Sequence, residues 1–436
     1  MAHSPLTLSR RSFSIFGVGA VALSLTACGG GKKPGSAGSG ATAWTLTGGA
    51  EDMFRAVFEE WNSNHSDEKI NVEYFSNDSY KEKVRTAIGS GNQPTLVYSW
   101  GNGGTLRDYV KNGKVIDLTG KVDEAAKRAL PSVLEAGKIE DKIYALPNNN
   151  SQPSMLYINK KLFNKHGVTA PRTWDELLSA VDAFKAAGVT PIAVAGSSQW
   201  PYLMWIQYLT DRIGGPEIFQ RVLDGEADAW SDPAIKEALE KIQELVKAGG
   251  FGSGYGSVVS DASADVALVY TDKAAMILQG SWIYSDFLNA AADWMAEGNL
   301  DVVAFPEVPG GKGDLSNVTG NPANFWSVSA DASEEDQKTA IKFLNELNLG
   351  DTATKALIDA GTVPATVDIE DALAKSERAD YLEFAYGLVR DAAHFQMSWD
   401  QALDAEPAQA LLQNLSQIFL LDITPDDFIK NMNGTL

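Results

Sequence analysis

Residues 43–100 switch between two hydrophobic periods, and that alternation constrains the fold more than any other feature of the chain. Trp44 and Leu46 alternate with polar residues, as in a short strand. Met53, Phe54, Val57, Phe58 and Trp61 share one helical face. Ile70, Val72 and Tyr74 alternate again, Tyr80, Val84 and Ile88 return to helical spacing, and residues 95–100 form a third strand. The order β-α-β-α-β predicts a parallel sheet with right-handed crossovers. In such sheets, loops at the carboxyl ends of strands gather at one edge. Three loops qualify: 48–51, 76–78 and 100–104. They carry Glu51, Asn77, Asp78, Trp100 and Asn102, with glycines that let a ligand approach the backbone.

The theme repeats over 151–305. Residues 155–158 read as a strand. Thr173 caps the next helix and Glu176 closes the box; Trp174, Leu177, Leu178, Val181 and Phe184 form its buried face, and Gly188 ends it. A strand over 191–195 leads into a loop carrying Gln199 and Trp200. A long helix covers 232–247, a strand covers 274–278, and Gly280-Ser281-Trp282 opens another helix before a strand at 300–305. A loop over 310–325, helices at 334–347 and 351–360, and a largely helical tail from 369 complete the chain. About 390 residues beyond the N-terminal region suit two domains better than one core.

The N-terminus reads as an export signal. Ser9-Arg10-Arg11-Ser12-Phe13 is a twin-arginine pattern, and the apolar stretch 15–25 is too short and too rich in small residues to span a membrane. Leu25-Thr26-Ala27-Cys28 matches a lipobox, so residues 1–27 are a signal peptide and Cys28 becomes a lipidated terminus. Residues 28–43, rich in Gly, Ser and Ala, form a flexible tether with an r.m.s. span of roughly 20 Å. The expected location is the extracellular face of the cytoplasmic membrane, with lipid as the only anchor. Cys28 is the one cysteine, so the chain has no internal disulfide. The net charge of -21 makes nucleic acid and anionic membranes poor partners.

Catalytic and metal motifs are missing from the sequence. The four histidines are dispersed without metal-ligand spacing. There is no GxxxxGK[ST], no GxSxG and no HExxH. The expectation is no catalytic residue, no metal and no cofactor. Glu51 and Asp78 could be read as an acid/base pair, but each also fits a carboxylate near a helix N-terminus, and a hydrogen-bonding or capping role is preferred. The tryptophans are more informative. Trp100, Trp200, Trp282 and Trp326 fall at strand ends or in loops beside Gly and Asn, whereas Trp44, Trp61, Trp174 and Trp205 sit on core faces. An indole covers the C–H face of a sugar ring while amides and carboxylates meet its hydroxyl rim.

Several segments carry a resemblance. They are Val110-Lys111-Asn112-Gly113-Lys114-Val115-Ile116-Asp117-Leu118-Thr119, Tyr144-Ala145-Leu146-Pro147, Leu156-Tyr157-Ile158-Asn159-Lys160 and Pro171-Arg172-Thr173-Trp174-Asp175-Glu176-Leu177. Lys273-Ala274-Ala275-Met276 with Gly280-Ser281-Trp282, and Thr362-Val363-Pro364-Ala365, continue the pattern, and Ser398-Trp399-Asp400-Gln401-Ala402-Leu403 is similar to actinobacterial members. With these the chain resembles the family 1 extracellular solute-binding proteins, the carbohydrate-binding lipoproteins of ABC importers. The resemblance implies an α/β, two-lobe, periplasmic-binding-protein-like fold with a hinge and an interlobe ligand cleft. It places lobe 1 at 44–147 plus about 306–363 and lobe 2 at 148–305 plus about 364–436, with hinge crossings at Asn148-Asn149-Asn150 and Phe305-Pro306. It puts Trp200, Ser281, Trp282 and Asn321 beside the ligand, joining Glu51, Asn77, Asp78, Trp100, Asn102 and Gln199. The implied partners are an oligosaccharide and the permease subunits of an ABC transporter, and a monomer is expected. The alternatives are an exported, lipid-anchored glycoside hydrolase using paired carboxylates, and a binder of a non-sugar solute such as a polyamine, which the acidic body would suit.

Overall fold

In the computed structural model, residues 40–101 and 103–436 are described. The twin-arginine pattern, the lipobox with Cys28, most of the tether, and Asn102 lie outside the described residues.

Along the chain the strands are β1 (Ala41–Leu46), β2 (Ile70–Phe75), β3 (Leu96–Ser99), the hairpin β4 (Lys138–Ile139) and β5 (Lys142–Ile143), β6 (Leu146–Pro147), β7 (Asn150–Asn159), β8 (Thr190–Ala193), β9 (Ala274–Gly280), β10 (Leu300–Val303), β11 (Val318–Asn321), β12 (Phe325–Val328), β13 (Val363–Pro364) and β14 (Phe395–Met397). One sheet has the order β2-β1-β3-β12-β6 and a second β14-β11-β7-β9-β8, with β10 and β13 also pairing to β7. β1 is parallel to β2 and β3, as the alternation over 43–100 predicts, while β12 enters antiparallel to β3 with Phe325 opposite Ser99. The fold is therefore mixed α/β with two sheet-containing lobes.

Each sheet organises its own core. Around the first, the helix Glu51–Asn64 buries Met53, Phe54, Val57, Phe58 and Trp61. The helices Glu334–Leu347 and Asp351–Asp359 add Phe343, Leu344 and Leu357 to the same core. The second sheet is covered on both faces, so β7 is buried at every position. Leu156 and Ile158 face one apolar cluster while Met155 and Tyr157 face the other, following the two-residue pleat. The helix Trp174–Ala186 starts as its sequence predicts, with the Thr173 side chain accepting from the Glu176 N–H. The Glu176 carboxylate, however, accepts from the Arg172 N–H instead of closing the box on Thr173.

Three further sequence expectations are overturned. In β1 the pleat is inverted: Ala41, Ala43 and Thr45 are buried, and Trp44 is only half-buried. Small residues take the face pressed by helices. The Trp44 indole lies on the outer side, where it donates to Glu73 at 3.0 Å and lies under the Lys83 ammonium at 4.0 Å. Trp326, expected at a strand end or in a loop, lies inside β12 and is buried against Phe54, Phe58 and Tyr98. The return to the first sheet is not at Phe305-Pro306. Phe305 and Val308 pack in the second lobe's core and β11 pairs with β7, so the chain crosses at 322–324.

A second crossing, at 148–149 between β6 and β7, is tied to this one by amides, and a third follows the helix Asp351–Asp359, before β13 pairs with β7. The Asn148 N–H donates to the Asn324 carbonyl at 2.8 Å. The Asn149 amide donates to Asn324 Oδ1 at 2.8 Å and accepts from the Asn324 N–H at 2.9 Å. Gln152 donates to the same Oδ1 at 2.6 Å. The side chains of Asn149, Gln152 and Asn324 are buried, and their mutual pairing offsets the cost of burying them. No helix among the described residues is long and apolar enough to cross a membrane.

Candidate functional site

Between the sheets lies a cleft of about 210 Å³ whose lining comes from both lobes and from the crossings. The loop 46–50 after β1, Asn77 and Lys81 of the helix Asn77–Ser90, and Trp100 just beyond β3 supply the first wall. Asn149, Asn150, Gln152, Asn321 and Asn324 form the base. The facing wall includes Trp200, Met204, Gln207, Asp265, Trp282 and Asp286, and Ser398, Asp400 and Gln401 reach in from the C-terminal region. The first-wall loops are those the strand order brings to one sheet edge.

Two indoles dominate the apolar part. The rings of Trp200 and Trp282 are 5.8 Å apart between centroids and inclined at 59°. Trp200 follows Gln199, whose backbone takes φ 61° and ψ -47°, a conformation few side chains adopt, at the junction of two short 3-10 turns. Trp282 depends on its neighbours. A Cβ on Gly280 would stand 1.9 Å from the Trp282 ring, so only glycine lets the indole fold back over the end of β9. Ser281 lies behind it, buried, with its hydroxyl donating to the Ser151 carbonyl at 3.2 Å.

The electrostatics are acidic. Asp265 is 1% exposed; its oxygens accept from the Val266 N–H at 3.1 Å and the Gln279 amide at 3.3 Å. Burial pushes its carboxyl up to about 6. Burial likewise pushes Asp286 up to about 6, against the 3.0 Å hydrogen bond it accepts from Ser263. Lys81 is the ammonium in the lining, 3.8 Å from Asp400 and 5.1 Å from the centre of the Trp100 ring. Across the mouth the Asp78 N–H donates to Asp261 at 3.2 Å, and burial followed by the Asp261 charge raises the Asp78 carboxyl. Among the described residues no cluster of three or more His, Cys, Asp or Glu could hold a metal ion.

Of the residues singled out from sequence, Asn77, Trp100, Trp200, Trp282 and Asn321 line this one cleft. Glu51, Asp78, Gln199 and Ser281 do not. Glu51 closes its own loop, accepting from the Gly48 N–H at 2.9 Å and from Arg55. Asp78 turns to the cleft's rim, Gln199 sets the bend before Trp200, and Ser281 anchors the strand end. The glycines of the turn after Trp100 face protein rather than the cleft: a Cβ on Gly103 would meet the Gln401 carbonyl at 1.5 Å. Sequence reasoning missed Lys81, Gln152, Gln207, Asp265, Asp286 and Asn324. Gln152 and Asn324 lie in or beside buried strands, where a polar residue inside an apolar run was the available signal. Asp265 gave none, sitting in the first turn of a helix where an acid is ordinary.

Comparison with known proteins agrees with this architecture. The model of the bacterial extracellular solute-binding protein family matches residues 21–348. An ABC transporter extracellular-binding protein of Pyrococcus horikoshii is 26% identical over 278 residues, 62% of this chain and 60% of that protein. A second such protein from the same organism is matched over 55% of its length, so the chain aligns with little more than half of these relatives. A probable sugar-binding periplasmic protein of Mesorhizobium japonicum is 27% identical over 67% of each chain. Among solved structures, a protein from a study of xylan utilization by the thermophilic bacterium Caldanaerobius polysaccharolyticus superposes with a TM-score of 0.82 at 29% identity, covering 91% of this chain and all of that one. A chitin oligosaccharide binding protein shares the fold with a TM-score of 0.74 at 22% identity. With the match running through both sheets, on two lobes that enclose a cleft between them, the chain belongs to the bacterial extracellular solute-binding proteins.

Proposed function

We propose that this protein captures a sugar, in the form of a short oligosaccharide, between its lobes and delivers it to an ABC permease without changing it chemically. The observation that carries the reading is the inclined pair Trp200 and Trp282 in a cleft otherwise lined by amides and carboxylates. Apolar ring faces with a polar rim around them match the two-sided chemistry of a pyranose. The names of relatives support it: probable sugar-binding periplasmic proteins and a multiple sugar-binding protein of Streptococcus mutans. In this reading Asn77, Gln152, Asn321 and Asn324 meet hydroxyls, Trp100 adds a further apolar ring face, and Cys28 holds the protein to the outer face of the membrane as a lipidated monomer after twin-arginine export.

The lobes close on ligand about the crossings at 148–149 and 322–324, because ligand contacts both walls only when they approach. The experiment is a calorimetric screen of xylo-, cello-, malto- and chito-oligosaccharides, with solution scattering at saturation. Binding with a reduced radius of gyration is expected. Absence of binding across the panel, or release of shortened products during incubation, would overturn the reading.

A further inference from the structure

The cleft's polar atoms are unevenly divided between acceptors and cations. Among the described residues, the lining carries the carboxylates of Asp261, Asp265, Asp286 and Asp400 against the single ammonium of Lys81, which already sits beside Asp400. Asp265 and Asp286 form no ion pair: their partners are a backbone N–H, the Gln279 amide and the Ser263 hydroxyl. A buried carboxylate without a cation is costly to keep, and its burial raises both carboxyls toward about 6. Independently, two buried groups on the lining lack any partner: Gln207 Oε1, on a residue 1% exposed, and the Ser154 hydroxyl. Asn321 Oδ1 on the cleft's base is also unpaired, and Trp200 Nε1 joins the Ser154 hydroxyl as a buried unpaired donor on the lining.

We infer that Asp265 and Asp286 make the second wall a charge filter that admits uncharged sugars and rejects anionic ones, such as uronates and sugar phosphates. The inference rests on the sugar-binding reading and narrows its substrate class. The distinction is a live one among relatives, since a protein of Brucella melitensis 24% identical to this chain is named for binding sn-glycerol 3-phosphate. A neutral sugar offers hydroxyl donors to the free acceptors and leaves the carboxylates ionised. An anionic group about 12 Å from each of the two carboxylates, at an effective dielectric of about 20, loses about tenfold in affinity to each, about a hundredfold in all. Lys81 does not offset this, because Asp400 already takes its charge.

The test is calorimetry at pH 7.5 on the full chain without its leader. The probes are the neutral disaccharides xylobiose, cellobiose, maltose and chitobiose, the aldobiouronic acid matching the tightest of them, and sn-glycerol 3-phosphate. The parent should bind the neutral sugar about a hundredfold more tightly than its acid. Asp286→Asn and Asp265→Asn, with folding checked by thermal melts, should each narrow that gap about tenfold. If the buried Asp265→Asn does not fold, the half-buried Asp286→Asn alone decides. Equal or tighter binding of the acid or of sn-glycerol 3-phosphate by the parent overturns the filter while leaving a binding protein. A gap unchanged in the folded variants also overturns it. A blank for every probe overturns the sugar reading and the filter together.

Discussion

Replacing Gly280 by alanine offers a direct test of how the cleft's indole is held. The added Cβ would lie 1.9 Å from Cζ3 and 2.1 Å from Cη2 of Trp282, where ordinary contact begins near 3.4 Å, so the ring must move by roughly 1.5 Å. Overpacking of this size costs about 1–3 kcal/mol of stability. The displaced indole also leaves its 5.8 Å pairing with Trp200, so sugar affinity should fall with stability. The decisive measurement is a double-mutant cycle by denaturant unfolding. In a Trp282→Ala background the obstacle is gone and Gly280 does not need a positive φ. There the same Gly280→Ala change should be neutral, or stabilising by about 0.4–1 kcal/mol through the unfolded state. An equal cost in both backgrounds would refute the claim that the indole lies over position 280.

Trp200→Ala and Trp282→Ala should each weaken the best sugar about thirtyfold, about 2 kcal/mol, by calorimetry; Trp61→Phe, in the first lobe's core, should lower thermal stability and spare affinity. Asn324→Ala should cost about 1–3 kcal/mol in unfolding experiments, because it strands the buried amides of Asn149 and Gln152, and Asn77→Ala at the rim should not. The carboxyls of Asp265 and Asp286, raised to about 6 from an ordinary 3.8, bind protons more tightly in the folded state. Their contribution to stability should thus decline as pH rises from about 4 to about 6. A pH series of melts on Asp265→Asn and Asp286→Asn should show that decline removed. Cys28→Ser should move the protein from the membrane fraction to the medium or leave it unprocessed, and membrane retention with normal processing would count against the lipobox.

Local patterns carried the sequence reading a long way. The strand-helix alternation over 43–100 appears in the structure as β1, β2 and β3 with their two helices, and Asn77 and Trp100 reach the cleft because strand-end loops share an edge. The pleat of β1 was illegible because it depends on which face the helices press. Large Trp44 therefore went outside while small Ala41 and Ala43 went in. The crossing at 322–324 was hidden for a similar reason. β11 and β12 are four residues each, and their opposite allegiances are decided by partners far away in sequence. Asp265 and Gln207 face the cleft from helices whose own periodicity gives no hint of a second lobe opposite.

The placement of β12 has a consequence for how the protein is made. This strand sits inside the first sheet, between β3 and β6, and not at its edge. The first lobe thus cannot complete its sheet while only its own N-terminal stretch has been synthesised. It must hold β3 unpaired on one side until strands β7 to β11 of the second lobe have emerged. Such non-local pairing slows folding and leaves an open strand edge exposed in the meantime. A truncation after residue 147 would therefore not yield an independent small domain. The first half can become resistant to proteolysis only after β12 has emerged, and the second only after the C-terminal helices bring Trp399, Leu411 and Phe428 into its core.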